Sequence, residues 1–219
     1  MNIEKLTVRY GEHTIFDGFD LDVAEGETLC VLGKSGTGKT TLLNAIAGLI
    51  PYGGAVTGQG KCAYVFQEPR LIPSLTVAQN IRYAAGGNVD TDAILAQVEL
   101  ADAKDFYPRK LSGGMAQRAS VARAFAVGGK TVLLDEPFRA LDLGLKERMI
   151  ALFLKLKRES GVTAVYVTHD VDEALACGDR ILVLDRGAVI ADERNEPSGT
   201  LGTRNETLYK KLTECLIAL

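Results

Sequence analysis

Polar and apolar residues alternate in Phe19-Asp20-Leu21-Asp22-Val23, the period of a strand with one face buried. Turn-forming stretches at Tyr10-Gly11-Glu12 and Ala24-Glu25-Gly26-Glu27 cut residues 3–32 into short strands, which predicts an antiparallel β lobe. The pattern then changes. Thr28–Leu32 reads as a buried strand, and the residues from Lys39 to Leu49 have the composition of a helix that stops before Pro51. Cys62–Phe66 is a second apolar strand. From Gln67 to Gly129 the spacing is helical with no strand, and Thr76-Val77-Ala78-Gln79 carries the residues of a capping box. Strand and helix alternate afterwards: Thr131–Leu134, a helix from Leu143 to Glu159, Thr163–Val167, a helix from Val171, and strands Arg180–Leu184 and Ala188–Ala191. Leu145, Met149, Leu152, Phe153 and Leu156 recur at helical spacing and should face the core. Asn195–Arg204 is expected to be a surface connection before a last amphipathic helix from Glu206.

The length of 219 residues suits one sizeable α/β core and is short for two, so one domain over residues 1–219 is expected, with any second lobe inserted in it. Hydrophobic residues at 47% and charged residues at 24% give the balance of a globular chain. A net charge of -3 without a Lys/Arg block argues against a nucleic-acid surface. The 4 cysteines form no CxxC pair and have no His-rich neighbourhood, so they are expected to be reduced, buried hydrophobes. No run approaches the ~20 apolar residues of a spanning helix, and the N-terminal residues lack the apolar stretch of a signal peptide. The expectation is a cytosolic chain that meets a membrane only through a partner.

One stretch carries chemistry by itself. Gly33-Lys34-Ser35-Gly36-Thr37-Gly38-Lys39-Thr40 has the spacing G-x-x-x-x-G-K-T, follows a strand and opens a helix. Gly33, Gly36 and Gly38 let backbone amides curl around polyphosphate, Lys39 reaches the β and γ phosphates, and the Thr40 hydroxyl is placed for magnesium. Thr41 extends the nucleotide-binding run. A P-loop NTPase core is therefore expected, bearing the antiparallel β lobe and a helical subdomain inserted at about residues 68–129. At the end of Thr131–Leu134, Asp135 can stand near a metal and Glu136 near an attacking water as general base or water positioner. His169 follows a strand and precedes Asp170, a candidate N-cap, which puts its imidazole at the sheet edge beside the phosphates. Leu111-Ser112-Gly113-Gly114-Met115 is either a capped helix start or a second phosphate site.

Taken in order, these segments resemble the nucleotide-binding subunit of an ABC transporter over nearly the whole chain. The P-loop is joined by Gln67, which matches the Q-loop glutamine, and by Leu111–Met115, which resembles the LSGGQ signature. Asp135 and Glu136 match Walker B and its catalytic glutamate, Ala140-Leu141-Asp142 the D-loop, and Val167-Thr168-His169-Asp170 the switch-histidine segment. The resemblance implies catalytic roles for Glu136, His169 and Lys39, and metal contacts from Thr40, Gln67 and Asp135. It implies nucleotide contacts from residues 33–41, Gln67, Ser112, Gly113 and Gly114, with Tyr10 stacked on adenine. Met115 stands where the signature usually has Gln, and Arg139 where the D-loop stretch usually has a small residue.

The same resemblance implies ATP and Mg2+, and a head-to-tail homodimer in which each signature loop completes the other subunit's P-loop site. It also implies an integral membrane permease, an extracytoplasmic solute-binding protein, and a place on the inner face of the membrane. Residues Gln67–Thr76 resemble the region that receives a permease's coupling helix, where Leu71, Ile72 and Leu75 either offer apolar contact or pack within the lobe. The wording is most similar to importers of nitrate, sulfonate and taurine. A soluble ABC ATPase acting as a mechanical or regulatory factor is the alternative. A kinase or GTPase is disfavoured, because no N-K-x-D motif occurs and neither class explains Leu111–Gly114.

Overall fold

Nine strands and seven α-helices organise around one central sheet in the computed structural model, which describes residues 1–87, 89–139 and 141–219. In chain order these are β1 (Asn2–Tyr10), β2 (His13–Asp22), β3 (Thr28–Leu32), α1 (Lys39–Ile46), β4 (Gly53–Thr57) and β5 (Cys62–Val65). There follow α2 (Val77–Ala85), α3 (Thr91–Gln97), α4 (Gly113–Ala126), β6 (Thr131–Asp135), α5 (Leu143–Ser160) and β7 (Thr163–Thr168). The chain ends with α6 (Val171–Cys177), β8 (Arg180–Asp185), β9 (Ala188–Arg194) and α7 (Glu206–Ala218).

The central sheet has the order β5-β6-β7-β3-β8-β9, parallel except for β9, which runs antiparallel to β8. β3, β6 and β7 are buried at every residue, the signature of strands covered on both faces. Alternate side chains explain how one strand serves two cores. Cys30, Leu32, Ala164 and Tyr166 pack with Met149, Ile150, Phe153 and Leu212 of the helices on one face. Leu29, Val31, Val165 and Val167 pack on the other face with Leu42, Leu43 and Ile46 of α1, and with Ile3, Leu6 and Phe16 of the β lobe. The α/β architecture with a P-loop core is thus realised.

The antiparallel lobe is the three-stranded sheet β2-β1-β4. Its first two strands are longer than the short strands expected, and β4 is absent from the sequence reading. Gly53-Gly54-Ala55-Val56-Thr57 has poor strand propensity; its conformation comes from pairing with β1, through Asn2↔Thr57 and Ile3↔Val56. Between β5 and β6 the chain is helical, as expected. Thr76 and Gln79 form the reciprocal capping box that starts α2. Val77, Ile81, Leu95, Ala119 and Ala122 close a separate small core there.

Three details qualify the expectation. Leu71 is buried at 9% exposure within that small core, so it offers nothing to a partner. Cys30 and Cys177 are buried as expected, whereas Cys62 and Cys215 are only partly so. In α5 the predicted Met149 and Phe153 are buried together with Ile150, while Leu145, Leu152 and Leu156 are half-buried.

Candidate active site

β3 runs between β7 and β8 and delivers Gly33 at the carboxyl edge of the sheet, where α/β folds place ligands. A Cβ on Gly33 would lie 2.4 Å from the carbonyl oxygen of Leu184 and 2.7 Å from Thr37 Oγ1, so no larger residue fits. Gly38 caps α1 at φ 105°, a left-handed conformation that L side chains rarely adopt. With no side-chain cap at this end, the first amides of α1 are left for an anion. Lys39 Nζ donates to the carbonyl oxygens of Gly33 and Lys34, both at 2.7 Å. Burial lowers the Lys39 pKa, and the carboxylates of Glu136 and Asp135 work against that shift.

β6 supplies the acidic side. Asp135 is 4% exposed, and burial raises its carboxyl pKa, opposed first by a hydrogen bond from the Thr40 hydroxyl. Glu136, the next residue, has φ 43°, and its amide donates to the carbonyl oxygen of Val167 at 2.9 Å. That conformation costs a non-glycine residue on the order of 1 kcal/mol or more, and it turns the side chain out of the sheet. Glu136 Oε2 lies 3.1 Å from Arg139 Nη1 and 3.3 Å from His169 Nδ1. Its side chain is 14% exposed, against 55% for His169.

Two adjoining concavities share Glu136. One is lined by Ser35, Gly36, Gly38, Lys39, Thr40 and Thr41 on the P-loop side, closed by Gln67, Glu136, Arg139 and Ile15. The other contains Gly33, Lys34, Ser35, Glu136, Arg139, His169 and Leu216. The first measures about 180 Å³, below the roughly 300 Å³ at which pockets begin to enclose a small molecule. It has room for phosphates, and the rest of a nucleotide would lie over the open surface. Asp135, Thr40 and Gln67 offer only oxygen and amide groups, the hard donor set that suits magnesium.

Other predicted residues stand apart. Tyr10, at the end of β1, is 49% exposed and lines neither concavity. Ser112 caps α4, accepting from the Met115 amide at 3.2 Å, and a side chain on Gly113 would meet open space. Neither Ser112, Gly113 nor Gly114 lines the cavities. Ala140 of the D-loop stretch lies outside the described residues. Ile15 and Leu216 carry no local motif, and only folding brings them to the site. Arg139 stood out in the sequence as a departure, but its ion pair with Glu136 did not.

The arrangement sets a P-loop, a buried lysine, two consecutive carboxylates and a histidine at one sheet edge. A family model described as ABC transporter matches residues 16–139. The chain belongs to the ABC transporter family. This ABC subunit is 43% identical over 200 residues to the aliphatic sulfonates import ATP-binding protein SsuB 2 of Rhodococcus jostii, covering 88% of this chain and 82% of that protein. It is 44% identical over 197 residues to a second such protein, SsuB 1 of Nocardia farcinica, covering 88% and 80%. A dimeric ATP-binding cassette in a post-hydrolysis state, bound to ADP and Pi, matches it with TM-score 0.80 at 30% identity, covering 89% of this chain and 98% of that one. As an ABC cassette the chain is an ATP-binding and ATP-hydrolysing transport subunit. Among its described residues no helix is long and apolar enough to cross a membrane.

Proposed function

We propose that this ATPase energises the import of a small solute through a separate membrane permease, from the inner face of the membrane, with an extracytoplasmic solute-binding protein delivering the solute. The observation that carries the proposal is the concavity where P-loop residues, Gln67 and Glu136 converge. The naming of its relatives as import proteins supports the transport direction.

Gly33, Lys34, Ser35, Gly36, Thr37 and Gly38 hold the phosphates through backbone amides, with Lys39, Thr40 and Thr41 at the start of α1. Thr40, Asp135 and Gln67 would hold Mg2+, which would supply positive charge against the phosphates. Glu136 acts as general base toward the attacking water, and His169 bonds the terminal phosphate and holds that geometry. Tyr10 stacks on adenine from the open side.

Ser112, Gly113 and Gly114 do not line this chain's own cavity, which leaves them to close the site of a second copy. ATP then binds the closed homodimer better than the open one, and that difference in affinity drives the permease. The Glu136→Gln variant should bind ATP, lose turnover and accumulate as a dimer in ATP and magnesium. Wild-type hydrolysis in that variant would remove Glu136 from its role.

The permease docks on the helical subdomain. With Leu71 buried, the available surface is the groove lined by Pro73, Ser74, Tyr107 and Arg109, flanked by the half-buried Ile72 and Leu75. Tyr107→Glu should reduce co-purification of the permease and spare ATP binding; undiminished co-purification would move the docking surface elsewhere.

A further inference from the structure

Arg139 has one side-chain partner among the described residues, and it is Glu136, with Nη1 3.1 Å from Oε2. A guanidinium carries five N–H donors in a planar fork, so this single bond leaves most of them free. The side chain is more than half exposed, yet it lines both concavities of the site. In one it faces Ser35, Gly36, Lys39 and Thr40, and in the other Gly33, Lys34 and His169.

Its backbone is placed as firmly as that of Glu136. The Arg139 amide donates to the Glu136 carbonyl oxygen at 3.3 Å, closing a turn directly after β6. The turn returns the guanidinium over the carboxylate. A cation so placed, on the open side of a cavity built for phosphates, has a second anion to meet when nucleotide enters.

We propose that Arg139 bridges Glu136 and the terminal phosphate of ATP, acting as a positioning residue for the carboxylate and as a second cation, beside Lys39, that reads the γ position. Planar geometry is what allows both contacts at once: one edge of the fork stays on Oε2 while the other reaches a phosphate oxygen. Lysine, a point charge on a flexible stem, can attract the phosphate but cannot hold both anions in register. The inference rests on the proposed nucleotide site and adds to it a residue that distinguishes ATP from ADP.

The test is equilibrium binding of a non-hydrolysable ATP analogue and of ADP to the full chain and to its Arg139→Ala and Arg139→Lys variants, with turnover measured alongside. Arg139→Ala should weaken the analogue about tenfold, equivalent to roughly 1.4 kcal/mol, while ADP affinity changes less than about twofold. Arg139→Lys should recover most of the analogue affinity but not kcat. Unchanged ADP affinity also reports that the variants are folded. Equal weakening of both nucleotides, no weakening of either, or full recovery of kcat by lysine would overturn the bridge. Failure of the unaltered chain to bind nucleotide would overturn the proposed site and the bridge together, an outcome distinct from a selective failure of the Arg139 variants.

Discussion

Glu136 and Glu173 both reach the segment around His169, and their surroundings are opposite. Glu173, on α6, is 3% exposed and fully engaged. Its Oε2 accepts from Tyr166 at 3.0 Å and Thr168 at 2.8 Å, while Lys146 Nζ lies 2.5 Å from Oε1. Thr168 Oγ1 accepts in turn from the Asp170 amide at 3.1 Å, and Asp170 caps α6. This network fixes the residues on either side of His169 and ties them to α5. Glu136 shares only one oxygen between Arg139 and His169, lies at the edge of two cavities and sits on a strained backbone. Engaging both oxygens of a buried carboxylate makes it a structural member, since any loss of a partner strands a buried charge. Leaving an oxygen free at a cavity edge, at a cost in strain, makes a carboxylate that can accept a proton.

The contrast is broken or sharpened by substitutions on the two sides. The largest effect is expected for Glu136→Gln, where kcat should fall by on the order of 10²–10⁴ with little change in thermal melting. A comparable loss of stability would make Glu136 structural after all. Next is Lys146→Met, which leaves Glu173 buried without its cation and should cost about 3–5 kcal/mol in denaturant unfolding. Burial alone would lower the Lys146 pKa, but the hydrogen bond and charge of Glu173 outweigh it and leave the pKa raised, a sign that the pair is engaged. A loss below 1 kcal/mol would show that the network carries no load. The smallest effect on stability is expected for Glu136→Gly, which removes the weak ion pair with Arg139 and relieves the left-handed strain. Stability should stay level or rise by up to about 1 kcal/mol while turnover is lost, read by paired melting and ATPase assays.

Much of the fold was legible because the signals were local. The capping box at Thr76 and Gln79, the apolar runs of β3, β6 and β7, and the helical spacing of Met149 and Phe153 each declare themselves within a few residues. β4 was not legible, since its glycine-rich sequence becomes a strand only beside β1. Leu71 stays ambiguous in sequence for a related reason: an apolar side chain in a connecting segment looks the same whether it faces a partner or its own subdomain, and folding buries it in the small core.

The sequence by itself determined the P-loop and its strand–loop–helix setting, the carboxylate pair after β6, and the order of motifs that places the chain in its family. These depend on residue type and short spacing, which the chain carries whatever its tertiary arrangement. Tertiary structure alone decided that Ile15 and Leu216 line the site, that Arg139 pairs with Glu136, and that Ser112–Gly114 do not line the chain's own cavity. It also decided that Glu173, unremarked in the sequence, anchors the histidine segment. A side chain's partners and exposure depend on which distant segments fold against it, and no local spacing records them.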